Sequence, residues 1–359
     1  MTEGGAPLDA QAHRCDAHRP VPAGTRVERA PWRTIGVHCH IFCPPVEALA
    51  AGQPGHAVRK AEELEAIGEA SNKVNAALIG TLAPKLVSIE SRLADMNAMG
   101  VDIQLISPSP TQYHYWVDRD VAPDIVGMQN DRIFEICAAL PDRFLGLGAL
   151  AMQDPQLAAD QLTDLVRHRG FKGAQISSLV NGRDIADPFF LPFWKRADEL
   201  GAVIFIHPWG TTLGTRLSDH YLMNTIGQPF ETTVCLSKLI FSGMLERHPR
   251  LRIIAAHGGG YLPPYSGRSD HARAVRPELD SCECRPSAQL RQLWFDSLVF
   301  DPGQLRELIE RVGEDRILLG TDYPFDMGHY DPAGLVAGLP TAQQKMILGD
   351  NAAKLLGLP

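Results

Sequence analysis

From Trp32 onward the chain alternates short apolar runs with longer segments whose apolar residues recur every three or four positions. The runs at 34–40, 101–106, 144–150, 171–176, 202–207, 251–257, 294–299 and 316–320 have the length and composition of strands. Helical spacing fills 88–99, 126–140, 157–169, 188–200, 232–246, 287–293 and 302–312. In the first of these Ile89, Leu93 and Met96 share a face, and Gly100 stops the helix. Residues 341–348 and 351–356 predict closing helices broken at Gly349. The stretch 41–87 is long for a connection and reads as an insertion covering the active end. A helix is expected within 62–75, with Gly80 and Pro84 preventing a continuous one. Eight β/α units predict an α/β fold of the (β/α)8 TIM-barrel type, a single domain over 32–359 behind an N-terminal arm, 1–31. An open α/β sheet is the alternative, but it would have to bring its first and last strands to one site. In a closed barrel those strands are neighbours.

The arm is rich in Gly, Pro, Ala and charge, which suits a flexible segment or an edge that wraps another subunit. Its His13 and His18 have no apolar strand near them and are expected to face solvent. Over 359 residues, 45% hydrophobic and 21% charged residues permit a substantial core. A net charge of -8 argues against a nucleic-acid partner. No basic segment leads into an apolar core at the start, and no apolar run predicts a membrane span. The 7 cysteines are odd in number and scattered, so a reduced, cytoplasmic protein is expected. Cys282-Glu283-Cys284 lacks a second pair at structural-zinc spacing and reads as ordinary thiols.

Chemistry gathers at the strand ends. In extended backbone His38 and His40 point the same way, with Cys39 opposite. His207, His257 and Asp322 end or just follow other apolar runs. His38, His40, His207 and Asp322 are therefore assigned as ligands of a divalent metal, Zn2+ by its donors, with Mn2+ or iron able to use the same set. His257 is set apart as an acid/base; a structural hydrogen bond or a fifth ligand are its other readings. Gly258-Gly259-Gly260 lacks the Lys-Ser or Lys-Thr ending of a phosphate loop and reads as room for the chain to turn. Arg268 is the candidate for gripping a carboxylate, and Asp270 the partner it would have as a plain surface ion pair. Trp209 and Phe325 are aromatic walls of the site or packing beneath it. Asp296 would orient a ligand histidine or contact substrate.

Taken together, Val37-His38-Cys39-His40, Met99-Gly100-Val101-Asp102, His207-Pro208-Trp209, Leu239-Ile240-Phe241-Ser242-Gly243, His257-Gly258-Gly259-Gly260 and Leu319-Gly320-Thr321-Asp322-Tyr323-Pro324-Phe325 resemble the amidohydrolase superfamily, in its branch around aminocarboxymuconate-semialdehyde decarboxylase. The resemblance runs from Trp32 to Leu358. It implies a metal-dependent β/α barrel that removes carbon dioxide without oxidation. It implies the same four ligands, His257 as water-activating acid/base, and Arg268 lent by a neighbouring subunit of a homodimer to a small carboxylate substrate. One feature departs from the pattern: the branch carries a further substrate-binding arginine in the insertion, and here no arginine stands between Arg59 and Arg92. Lys73 and Lys85 are the nearest substitutes considered. The expected activity is thus a metal-dependent carboxy-lyase acting on an aromatic or unsaturated ring-cleavage acid. A metal-dependent hydrolase of an amide, ester or lactone is the alternative, separated from the first by water uptake without carbon dioxide release. A non-enzymatic ligand-binding barrel is the third reading.

Overall fold

The computed structural model describes residues 20–359, so His13 and His18 lie outside the described residues. Eight parallel strands form the ring: β1 (Ile35–Ile41), β2 (Ile103–Pro108), β3 (Phe144–Gly148), β4 (Gly173–Ile176), β5 (Val203–Ile206), β6 (Arg252–Ala255), β7 (Trp294–Asp296) and a divided β8 (Ile317–Leu318 and Gly320–Tyr323). The first piece of β8 pairs with β7 and the second with β1, which closes the barrel. Leu319 spans the join, and its carbonyl accepts from the Val37 amide at 2.9 Å. A small antiparallel ribbon, Leu179–Val180 with Arg183–Asp184, follows β4 and has no counterpart in the apolar pattern.

Two layers of core explain the strand composition. Ile35, Val37, Leu105, Val203, Ile254 and Leu318 belong to one cluster, against which Ala352, Leu355 and Leu356 of the last helix pack. Cys39, Ile106, Ile176, Ile204, Ile253 and Leu319 join the larger cluster formed with the surrounding helices. The pairing of β1 with β2 shifts register between Gly36 and Cys39, and that with β8 shifts between His38 and Cys39. Such an irregularity re-aims side chains locally. It lets Val37 serve the first cluster while His38 and His40 still turn toward the site.

The insertion comprises helices Pro44–Ala51, His56–Ile67 and Glu69–Val87. Three expectations are corrected here. The helix foreseen within 62–75 is two helices, because Gly68 adopts φ 85° and ψ 155° between them. A side chain at Gly68 would also begin 1.6 Å from the Ser218 carbonyl oxygen. Conversely, Glu69–Val87 runs unbroken through Gly80 and Pro84. Pro84 cannot donate to the carbonyl four residues back, which belongs to Gly80, and Gly80 is exposed, so water can take the missing place. Gly349 likewise does not break the chain, since a π-helical turn, Met346–Asp350, leads straight into Asn351–Leu356. A Cβ there would lie 2.1 Å from the Arg33 carbonyl oxygen, so its glycine serves close packing.

From Pro20 the arm lies against the barrel: the Val27 amide donates to Ala98, Lys85 donates to the Ala23 carbonyl, and Arg29 pairs with Asp102. Among the described residues no helix is long and apolar enough to cross a membrane. Replacing Gly68 by alanine is expected to strain the junction of the insertion helices by roughly 1–3 kcal/mol, read as faster proteolytic cleavage within 52–87 and a lower denaturation midpoint.

Candidate metal centre

The β1 histidines meet residues from the far end of the chain because β8 lies beside β1. One ligand atom from each of His38, His40, His207 and Asp322 lies within 4.8 Å of the others, and all four residues are buried. The three imidazoles stand nearly perpendicular in pairs, at 82° to 87°, with ring centres 4.8 to 4.9 Å apart. Asp322 Oδ1 is 3.3 Å from Nε2 of both His38 and His40.

The other nitrogen of each ring is already engaged. His38 Nδ1 lies 2.7 Å from Asp296 Oδ2, His40 Nδ1 3.2 Å from the Pro108 carbonyl, and His207 Nδ1 2.8 Å from the Pro208 carbonyl. With acceptors on that side, Nδ1 carries the proton and Nε2 presents a lone pair to the centre. Among the described residues, His38 Nε2, His40 Nε2 and Asp322 Oδ1 are buried without a hydrogen-bond partner. Buried polar atoms are seldom left so. Three imidazole donors and a carboxylate of this kind fit a divalent cation.

Charge follows the same geometry. With no ion bound, burial alone would depress His38, but the Asp322 and Asp296 carboxylates outweigh it and push it up to about 9, so a cation binding there would take the place of the Nε2 proton. His40, also buried and set beside His38, falls to about 4 in spite of Asp322. Burial and the neighbouring imidazoles hold His207 well below its usual value. Burial opposes ionisation of Asp322, yet His38 and His40 keep it well below the usual carboxylate range. Cys39 points away, 3.4 Å from the Thr321 hydroxyl, and burial pushes its thiol up to about 12, so it stays neutral.

Asp296 settles its two sequence readings in favour of orientation. Besides His38 it accepts the amides of His257 at 2.9 Å and Gly258 at 2.8 Å. His257 sits at φ 55° and Asp322 at φ 50°, left-handed conformations that cost energy outside glycine and are held here by the surroundings. The His257 ring centre is 5.0 Å from His207 and 5.4 Å from His38, and its Nδ1 is buried without a hydrogen-bond partner among the described residues. Burial lowers its proton affinity, with Asp296 opposing. The glycines after it admit close approach: a Cβ on Gly259 would lie 2.6 Å from the Phe295 ring, and one on Gly260 2.1 Å from the Pro229 carbonyl.

A cavity of about 790 Å3 reaches this centre, with His207, His257, Asp322, Trp209 and Phe325 among its walls. Phe325 stands 5.6 Å from the His40 ring, and Trp209 Nε1 is 3.5 Å from Glu63 of the insertion. A second cavity of about 410 Å3 also reaches His257 and Asp322. Arg268 is exposed on the helix Leu262–Val275 and lines neither cavity. It does not pair with Asp270, which instead accepts from the Ser287 amide at 2.9 Å and hydroxyl at 2.7 Å. Lys85 is committed to Asp95 at 2.7 Å, and Lys73 is exposed and lines neither cavity.

Supporting residues absent from the sequence reading are Arg92, Gln175 and Tyr113. Fully buried Arg92 donates to the His40 carbonyl and to Gln104, with its guanidinium over the Tyr323 ring. Gln175 donates to the Pro108 carbonyl and to Tyr113, whose hydroxyl donates to the His207 carbonyl at 2.9 Å. Their spacing carries no motif; only the fold brings them under the ligands.

Barrel, ligand set and buried unpaired donors define a metal-dependent enzyme of the β/α-barrel class. The amidohydrolase family model matches residues 14–358, and the chain belongs to that family. It is 35% identical over 272 residues to 2-amino-3-carboxymuconate-6-semialdehyde decarboxylase of Dictyostelium discoideum, covering 74% of this chain and 76% of that protein. The structure of 5-carboxyvanillate decarboxylase from Sphingomonas paucimobilis superposes with a TM-score of 0.78 at 26% identity, over 91% of this chain and 99% of that one. That of a dihydroxybenzoic acid decarboxylase from Polaromonas sp. JS666, with bound manganese and the inhibitor 2-nitroresorcinol, gives 0.76 at 25% identity over 90% and 97%.

An Asp296→Asn variant would present an amide N–H to His38 Nδ1 and favour the tautomer with Nε2 protonated. Its metal affinity is expected to fall about 10- to 100-fold, measured by competition with a chelator, with the fold retained by circular dichroism.

Proposed function

We propose that this enzyme is a metal-dependent non-oxidative decarboxylase of an aromatic or unsaturated carboxylic acid. The observation that carries the reading is the set of buried, unpaired donors of His38, His40 and Asp322 beside His207, opening into a cavity that His257 also faces. Its likeness to three decarboxylases supports the reaction type. His38, His40, His207 and Asp322 would hold the ion, which when bound supplies Lewis acidity toward the acid. The donor set favours zinc, and the manganese of the Polaromonas relative makes manganese the competing ion; metal content after expression, followed by reconstitution with each ion, separates them.

In the reaction the bond between the carboxyl group and its carbon breaks. The electron pair stays on that carbon, a proton takes the vacated position, and carbon dioxide leaves, with no change of oxidation state overall. His257 would hand over that proton, a role supported by its ring at the cavity wall and its backbone hydrogen bond to Asp296. Trp209 and Phe325 would flank the substrate's unsaturated part, as apolar faces that exclude water.

The grip on the carboxylate is assigned to Arg268 of a second copy. Tyr261, Tyr265, Arg268 and Val275 follow helical spacing, and all four are exposed. Arg268 has no partner among the described residues, and Tyr261 at the head of its helix lines the second cavity that reaches His257. An exposed aromatic stripe ending beside an opening to the centre is what a two-fold interface would use.

His257→Ala is expected to keep its metal while carbon dioxide release falls about 10²-fold or more; parallel loss of metal would make it a ligand instead. Arg268→Ala is expected to lose activity with its metal content intact. Mixing that variant with His257→Ala should restore turnover that neither parent shows, since a mixed dimer holds one complete site; no recovery would place Arg268 outside the partner's site.

A further inference from the structure

The main cavity is larger than the chemistry near the metal centre requires. At about 790 Å3, it falls in the upper part of the roughly 300–1,000 Å3 span of sites for drug-sized ligands. One end is formed by His207, His257 and Asp322, whereas the far wall comes from the insertion. Leu64 and Ile67 face it from His56–Ile67, and Ile79, Leu82 and Leu86 from Glu69–Val87. The spacings of three and four residues put each set on one face of its helix.

This wall is not consumed by the core. The helix His56–Ile67 buries none of its residues, and Leu64 and Ile79 are 43% and 57% exposed. Most of the charged groups that the insertion brings to the cavity already have partners: Glu47 with His114 at 2.9 Å, Lys60 with Glu63 at 3.9 Å, and Arg59 with Glu62, outside the cavity, at 3.0 Å. What the insertion offers is therefore mainly apolar surface, open to a cavity that leads to the metal ligands. A single small ring with its carboxyl group at the centre would leave that surface to water.

We infer that the acid this site takes extends beyond one ring, through an alkyl chain or a second ring that lies against Leu64, Ile79 and Leu82. The inference rests on the decarboxylase reading and specifies its substrate class. Continuity of the wall with the metal centre selects the substrate as occupant over a second protein chain.

The test uses the full-length, manganese-loaded protein and two acids, a hydroxybenzoate and the same compound bearing a pentyl chain. Carbon dioxide release gives kcat/KM for each, and calorimetry gives Kd for the two corresponding phenols. The chain-bearing acid should be favoured about tenfold or more, and its phenol should bind more tightly by a similar factor. A double variant, Leu64→Asn with Ile79→Asn, should bring both ratios toward one; both positions are exposed, and an unchanged thermal midpoint verifies the fold. Equal or poorer handling of the pentyl compounds, or ratios untouched by the double variant, would overturn the inference. A shift of the double variant to a smaller species in size-exclusion chromatography would do so too, by making the wall an interface. Carbon dioxide from neither acid would count against a hydroxybenzoate as the substrate, and the phenol affinities would still decide the cavity.

Discussion

One buried carboxylate sets the terms for the rest of the site. Asp296, at the end of β7, orients the imidazole of His38 and at the same time holds the backbone of His257 and Gly258. A carboxylate in such a place is tolerated because every partner it meets is a donor, and its acid form is disfavoured although burial pulls the other way. The metal ligand and the proposed acid/base are thereby fixed to one anchor. The left-handed backbone at His257 follows from that arrangement and is sustained by it.

Around this anchor each ligand has its own brace. The His40 imidazole meets the Pro108 carbonyl, which also accepts from Gln175, while Arg92 grips the His40 backbone from below. His207 is held through its own loop carbonyl and through Tyr113. The ligand atoms are aimed before any ion arrives, which spares the binding step much of the cost of ordering side chains. The chemistry is rigid, and the apolar insertion lies at a distance from it.

The barrel and its four ligands were legible because their signals are local. Strand-length apolar runs ending in His or Asp identify the strands, and the i, i+2 pair His38 and His40 declares a shared face. What escaped depends on contacts between distant segments. The helix Leu262–Val275 gave no periodic signal, because Pro263, Pro264 and Gly267 dilute its pattern and several of its outward positions are apolar. Gly80, Pro84 and Gly349 looked like breaks, yet solvent access at Gly80 and close packing at Gly349 let the chain run on. Arg92 carries no motif, and only the fold encloses it beneath His40. Asp296 showed two possible roles, and only the proximity of β7 to β1 chose between them.

The divided last strand carries a consequence for how the molecule is made. His38 and His40 emerge early in synthesis, whereas Asp322 and the strand that seats it come near the end, and β1 gains its second neighbour only then. Contacts so far apart along the chain form slowly. A nascent chain thus carries an unfinished chelate, first two and then three histidines, for most of its elongation. Faithful metallation belongs to the completed polypeptide, and a ribosome that stalls before β8 leaves a fragment with three of the four ligands and an open sheet edge.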